Sequence, residues 1–492
     1  MKIVKYLSLL IFLVLIILLN KDFLSSKTIP IAREILPKNV YEGLKIILKP
    51  SSVLSIRGNS LGQIEYLLLD TSEEELGISK SIDSIFDVIN NSINNLNNKI
   101  YNAEKDNLKL NEILVSGKIE FRKKIDTTFN IENQFKSKFN YFELNSNFPG
   151  KTGVSKNTNY IESYKGNLIV VSATGVFSFT NLENFTKSSG NLKMIKSNIS
   201  EFINYDEFYS ESMYGIKDIY IEEDKIYISY TNQLRNSCYN TSILVADFNF
   251  DYLDFKSFFK DNECIEVLNE YGEFNALESG GRITGFNDKE LLFSIGDYRY
   301  RTKAQDDKSL FGKIVSINKN SSEVRVISKG HRNVQGLKYI KDLNMIVSSE
   351  HGPRGGDEVN IQMNIDSIHN YGWPVSSYGE HYISNTEILK EAPLHKSHID
   401  FGFTEPFKYF VPSIGVSEIE YLKFNNNFYL LVTSMGYNSK EGKMSIHIID
   451  LLDREKPIIM NFEKRIRDII SVDKKTFFIS FETFGGIGIL NF

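Results

Sequence analysis

The chain has 492 residues, 41% of them hydrophobic and 13% aromatic, which excludes a disordered tail and implies either several domains or one large repeat-built β-domain. Lys and Arg (57) nearly balance Asp and Glu (62), leaving a net charge of -5 and no long basic run. That balance excludes an extended phosphate-backbone contact, and with it nucleic acid as a partner.

In chain order, the first signal is an apolar run at 6–19 (YLSLLIFLVLIILL), preceded by Lys2 and Lys5 and followed by Asn20, Lys21 and Asp22. The run is shorter than the ~20 residues of a comfortable spanning helix, yet no small-residue cleavage site follows it. Residues 1–28 are therefore expected to be an uncleaved signal-anchor, with a cleaved signal peptide as the alternative. The preceding positive charge sends the rest of the chain to the exported side of a cell membrane, single-pass if anchored and periplasmic or secreted if cleaved. Export would let the two cysteines, Cys238 and Cys264, pair; the alternative is two buried thiols.

Residues 29–120 read differently. Ile82, Ile85, Ile89, Leu96, Ile100, Ala103 and Leu110 recur at helical spacing close to a heptad, among Asn, Lys, Asp and Glu. The pattern predicts a helical stalk or short coiled coil through which the chain could self-associate, or equally one amphipathic helix packed on a neighbouring domain.

From 121 to 492 a third unit repeats: a polar turn, then a short strand of Ile, Val, Phe, Tyr and Ser. It occurs at GNLIVVSATGVFSF (166–179), DKIYISYT (224–231), DKELLFSIGD (288–297), DLNMIVSSEHG (342–352), NNFYLLVTSMG (426–436) and DKKTFFISFETFGGIGIL (473–490). Each spacing leaves room for about four short strands, so the fold class is all-β, a six-bladed β-propeller, with a large β-sandwich as the weaker alternative. The widest spacing, from Asp342 to Asn426, holds EHGPRGGDEVNI (350–361) and YGWP (371–374) and predicts an insertion in a functional loop.

That insertion carries the densest chemistry. Gly352, Gly355 and Gly356 allow backbone that turns carbonyls inward, and Asp357 and Glu358 add carboxylates, a mixture suited to a hard cation such as calcium. As neighbours on a strand those two acids point to opposite faces, which argues against a carboxylate-pair hydrolase. Upstream, GHRNVQGL (330–337) sets Arg332, Asn333 and Gln335 before a strand, and ESGGRI (278–283) and KRIRDI (464–469) occupy similar places in other blades. Converging on one channel, Arg332, Arg465 and Arg467 would suit a polycarboxylate or phosphate ligand.

GHRNVQGL, SEHGPRGGDEVN, NYGWPVSSYGEHY, SGGRI with the following SIGD, and RIRD resemble, in the same order, the pyrroloquinoline-quinone-dependent aldose sugar dehydrogenases of the glucose/sorbosone dehydrogenase family. The resemblance covers roughly 150–492. It implies that Arg332 and Asn333, with Gln335 beside them, contact the quinone and that Arg465 and Arg467 hold its carboxylates. It further implies that the Gly352 and Pro353 carbonyls bind the cofactor calcium, while Glu358 and the Tyr371 carbonyl serve a second calcium. The substrate implied is a sugar, oxidised at the anomeric carbon, with a separate electron acceptor. Three departures stand out: Glu278 occupies the place of the family's histidine base, SMYGIKD (212–218) lacks a family glutamine, and Gly436 falls where the family has lysine, with Lys440 close by. A carboxylate's ordinary pKa of ~4.3, against ~6.5 for histidine, makes it a weaker base near neutrality. Two functions therefore stand as expectations: sugar oxidation with Glu278 in the histidine's role, or a calcium-stabilised propeller that binds a glycan or protein at the cell surface without turnover.

Overall fold

The computed structural model describes residues 55–58, 64–67, 119–131, 135–144 and 158–492, apart from short gaps at 204–206, 209–212, 383–385, 438–441 and 483–484. The chain divides into two units, Met1–Asn102 and Ala103–Phe492. In the first, Ser55–Gly58 and Ile64–Leu67 form an antiparallel hairpin. The expected membrane or signal segment at 1–28 and the helical pattern from Ile82 to Leu110 lie outside the described residues. No helix among the described residues is long and apolar enough to cross a membrane.

The second unit is built on six inner strands: β1 (Asn159–Tyr164), β2 (Ile216–Glu222), β3 (Gly280–Asn287), β4 (Val334–Ile340), β5 (Val416–Phe424) and β6 (Ile466–Ser471). Each packs on the next, and β6 packs back on β1, which closes a ring. Each inner strand also begins an antiparallel sheet running outward, so the architecture is a propeller of six blades. The repeated sequence unit marks the second strand of each blade: Asn167–Ser172, Lys225–Arg235, Glu290–Ile295, Met345–Glu350, Asn427–Ser434 and Thr476–Phe481. Those strands are buried on both faces between neighbouring blades, which is why they read as continuous apolar runs.

The ring is locked by strand exchange between its ends. After Ile466–Ser471, Thr476–Phe481 and Gly486–Asn491, the outer strand of the last blade is Phe135–Leu144, from the other end of the unit, with Ile489 opposite Asn140. Ile119–Ile131 then pairs with both Phe135–Leu144 and Ser189–Ser197, so the last and first blades share one sheet. This pairing covers two edges that would otherwise be open. Apolar layers fill the spaces between blades; Phe121, Phe142, Phe185 and Phe478 join the last blade to the first. Cys238 and Cys264 form a disulfide within the second blade.

The centre of the ring is charged. Arg282 of β3, 2% exposed, reaches Asp218 of β2 at 3.0 Å, Glu418 of β5 at 2.8 Å and Asp468 of β6 at 3.3 Å. It also donates to the Gln335 carbonyl of β4 at 2.6 Å and lies 5.4 Å over the Tyr160 ring of β1. The three carboxylates form a cluster of a kind that could hold a metal ion, but the positive charge among them is already the guanidinium. Their remaining lone pairs tie blades together: Asp218 accepts from Ile283 N, Glu418 from Leu337 N and Asp468 from Ile161 N.

Arg282→Met is expected to cost about 3–5 kcal/mol, because it leaves carboxylates buried without a counter-charge, and a thermal melt would show it. A second expectation concerns pH. Burial, reinforced by neighbouring carboxylates and only partly offset by Arg282, pushes Asp218 up to about 7 and Glu418 up to about 8. Raised carboxyl pKa values mean that the folded chain keeps protons the unfolded chain has released, so this contribution to stability falls as pH rises from the ordinary carboxylate range to about 8. Melting temperature should decline over that window, and Glu418→Gln should flatten the decline.

Candidate active site

All six inner strands begin at the same end of the ring, and the candidate residues gather there. Glu278 ends a single 3₁₀ turn, Ala276–Glu278, capped by the Asn275 side chain on Leu277 N. The turn lies against the loop after the second strand of its blade: Tyr298 N donates to the Glu278 carbonyl, and a Cβ on Gly296 would stand 2.2 Å from that oxygen. Only glycine fits at 296.

Glu278 is buried, and its Oε1 is held twice, by Arg299 Nε at 2.7 Å and Arg332 Nη2 at 2.7 Å. Its Oε2 is buried without a hydrogen-bond partner. Burial alone would raise the Glu278 pKa, but Arg332 and Arg299 outweigh it and hold the carboxyl below its ordinary value. Asp297, beside them, accepts from Trp373 Nε1 at 2.7 Å and from Arg299 N at 2.9 Å; burial and the Glu278 charge push it up to about 7.

From Arg332 the polar layer continues across the ring. Asn333 Oδ1 accepts from Gly280 N and from Gln335 Nε2, both at 3.0 Å, and Gln335 Oε1 accepts from Arg467 Nη1 at 3.0 Å. Arg467 and Arg465 both clasp the buried Glu482, Arg465 through Nε at 3.0 Å and Nη2 at 2.8 Å. Burial pushes Glu482 up, yet the two guanidiniums together keep it low. Glu278, Arg332, Asn333, Gln335, Arg465 and Arg467, named from sequence, thus share one layer. Lys440 lies outside the described residues.

The glycine-rich loop sits beside Arg332. A Cβ on Gly352 would stand 1.7 Å from the Gly356 carbonyl, and Gly355 has φ +84°, so neither position takes a side chain without rebuilding the loop. The Gly352 carbonyl accepts from Arg332 Nη1 at 3.0 Å, and the Pro353 carbonyl from Gly356 N at 3.1 Å. Asp357, expected to offer a calcium ligand, is engaged otherwise: it accepts from Gly352 N, from Gly415 N at 2.6 Å and from Val416 N at 3.2 Å. Strand alternation turns it away from Glu358 and toward the next blade, where it binds backbone. Glu358 and the Tyr371 carbonyl both meet His398, whose Nδ1 lies 2.9 Å from the carbonyl and whose Nε2 lies 3.4 Å from Glu358 Oε1, so the imidazole stands between the two.

The expected insertion is only partly where the sequence put it: EHGPRGGDEVNI forms the turn between the second strand, Met345–Glu350, and the third, Asp357–Gln362, and part of that third strand, while the extra length, which includes YGWP, lies between the third strand and the fourth, Lys408–Phe410, of the fourth blade. It brings Tyr371, Trp373, Ser376 and Ser377 to a small cavity shared with Arg332, Glu350 and Gly352. Glu350 is satisfied on both oxygens, by His331 Nδ1 and Asn360 Nδ2 on one and Arg332 N on the other. Arg299, Asp297 and Glu482 went unnoticed in sequence. Arg299 lies just past the SIGD segment; for Glu482 the only signal was its place beside a strand of the last repeat.

Residues 181–486, well over half of the chain, match the Glucose / Sorbosone dehydrogenase family model. An uncharacterized protein, slr1608, of Synechocystis sp. is 34% identical over 161 residues, 28% of this chain and 37% of its own length. The aldose sugar dehydrogenase YliI of Escherichia coli is 32% identical over 178 residues, 33% of this chain and 43% of its own. The chain thus spans less than half the length of either relative. A crystal structure of a glucose dehydrogenase, 19% identical, shares the fold with a TM-score of 0.53 over 69% of this chain and 99% of its own. The HRN strand, the glycine loop and the RIRD arginines all lie within the matched residues, and the chain belongs to the glucose/sorbosone dehydrogenase family.

Proposed function

We propose that the protein is a quinoprotein of the aldose sugar dehydrogenase type, oxidising a sugar at its anomeric carbon with Glu278 as proton acceptor. The observation that carries this reading is the unpartnered Glu278 Oε2, a buried carboxylate oxygen without a hydrogen-bond partner beside Arg332 and Arg299. The donor set suits pyrroloquinoline quinone, a polycarboxylate. Arg299, Arg332, Arg465 and Arg467 outnumber the carboxylates they hold, Glu278 and Glu482, so positive charge remains for an anionic ligand. The Gly352 and Pro353 carbonyls each accept one hydrogen bond and keep a second lone pair for calcium. When bound, the quinone supplies the two-electron acceptor for hydride from the sugar.

The chain's own residues do the rest. Arg465 and Arg467 receive ligand carboxylates, and the indole of Trp373 and the ring of Tyr371 wall the site from water. Glu278 is ionised at neutral pH, with Oε1 anchored and Oε2 free to take the proton of the anomeric hydroxyl. The apolar run at 6–19 and the Cys238–Cys264 disulfide support an exported, membrane-anchored location for this chemistry.

A second reading has its own support. Two guanidiniums on one carboxylate oxygen weaken Glu278 as a base, which favours a calcium-stabilised propeller that binds a glycan or protein without turnover.

Reconstitution with calcium and pyrroloquinoline quinone, followed by dye reduction across a panel of aldoses, decides between them: quinone bound and a sugar oxidised supports the first, whereas no quinone bound, or every sugar inert, overturns the first and supports the second. Under the first, Glu278→Gln should lower kcat by about 10²-fold or more with quinone binding retained. Turnover should persist on the acid side of about pH 6.5, where a histidine base would be protonated. Gly352→Ala should cost about 1–3 kcal/mol in a thermal melt and weaken calcium binding, because its Cβ lands on the Gly356 carbonyl.

A further inference from the structure

Tyr298 and Arg299 are consecutive non-glycine residues in left-handed backbone, with φ of +54° and +70°. Such residues persist only when their surroundings over-determine them, and they concentrate where a side chain must be aimed. Here the surroundings are explicit. The Tyr298 ring is fully buried, and its hydroxyl hydrogen-bonds with Thr241 Oγ1 at 2.8 Å. Tyr298 N donates to the Glu278 carbonyl, Asn275 N to the Tyr298 carbonyl, and Asp297 N to the Arg332 carbonyl. Arg299 N and Tyr300 N both fold back onto Asp297. The loop thus grips the turn that carries Glu278 and the strand entry that carries Arg332, and its conformation delivers Arg299 Nε to Glu278 Oε1.

We propose that Arg299 is a positioning residue for Glu278: with Arg332 it fixes Oε1, which leaves Oε2 as the single oxygen presented to a ligand's hydroxyl. This rests on the reading of Glu278 as a proton acceptor. The role follows from the substitution itself, since an imidazole in the histidine's place would have no anionic oxygen for a guanidinium to grip. The charged groups facing Glu278 are Arg299, Arg301 and Asp297 from its own blade and Arg332 from the next. Arg301 is itself paired with Glu273, so Arg299 is the cation of that loop committed to Glu278. Its side chain is 32% exposed, which leaves room for replacement without loss of core.

The test uses Arg299→Gln and Arg299→Lys in the full chain, free of quinone and sugar. 13C NMR of protein labelled at glutamate carboxyls reports the Glu278 titration, its line assigned by disappearance in Glu278→Gln. The expected result is a midpoint shifted upward in Arg299→Gln, with Arg299→Lys between it and the parent chain, since a lysine restores charge without the planar fork. In the reconstituted enzyme the acid limb of the kcat profile should move the same way. Equal midpoints in parent and Arg299→Gln overturn the proposal; should that variant not fold, equal midpoints in parent and Arg299→Lys overturn it. Because the carboxyl titration requires no turnover, its failure removes the role of Arg299 while leaving sugar oxidation standing. Absence of turnover in the parent chain removes sugar oxidation and leaves the clamp.

Discussion

One guanidinium holds contacts to every other blade. Arg282 extends from β3 into the centre of the ring and meets a side chain or carbonyl of β1, β2, β4, β5 and β6. A closed ring of sheets leaves an axial space that six inner strands cannot fill with apolar side chains and still satisfy their backbone, because bulges in β2 to β6 near this level break the ladders. Three carboxylates accept the stray N–H groups, and one arginine balances part of the charge so created. The protein holds the remaining charge by keeping protons on the cluster, as the raised pKa values of Asp218 and Glu418 show.

The candidate site is the next layer of the same construction. Arg467 precedes Asp468 by one residue, and its carbonyl accepts from Arg282 while its guanidinium turns the other way, toward Glu482 and Gln335. Gln335 likewise gives its carbonyl to Arg282 and its amide to Asn333 and Arg467. Backbone anchored on the hub therefore aims side chains into the site, so precision there is inherited from the channel rather than assembled from mobile loops. The segments ESGGRI, HRNVQG and RIRD each contain both kinds of residue, so scaffold and site lie side by side in the sequence.

Legibility followed burial. The second strand of each blade was readable because both its faces are covered, giving runs such as IVVS and LLFSI. The inner strands gave no apolar run: those at Gly280, Val334 and Ile466 were marked only by the motifs at their starts, and those at Ile216 and Val416 not at all, because Asp218, Arg282, Glu418 and Asp468 interrupt the pattern for reasons that exist only once the ring closes. The closing strand Phe135–Leu144 was equally hidden, since its partner Gly486–Asn491 lies at the far end of the chain. In the site, EHGPRGGDE was conspicuous through its glycines, which are dictated locally by close approach and φ. Asp357 illustrates the limit of such reading, because an acid next to glycines suggests a cation, while the folded loop spends it on the amides of Gly415 and Val416.

Under the proposed function, a glutamate at 278 in place of a histidine base would change more than one side chain's basicity. A neutral imidazole can sit beside Arg332 without forming an ion pair, whereas a buried carboxylate must acquire cations or take up a proton. Here it acquires two, and the same pair of contacts orients it by occupying one oxygen and leaving the other without a partner. Burial first, and the Glu278 charge second, push Asp297 up to about 7, so it is not a second full negative charge beside Glu278. Glu278 thus belongs to a charge set with Arg299, Arg332 and a readily protonated Asp297. A carboxylate supported in this manner trades proton affinity for readiness: it is ionised across the neutral range, and its strength as a base is set by how firmly Arg299 and Arg332 hold Oε1.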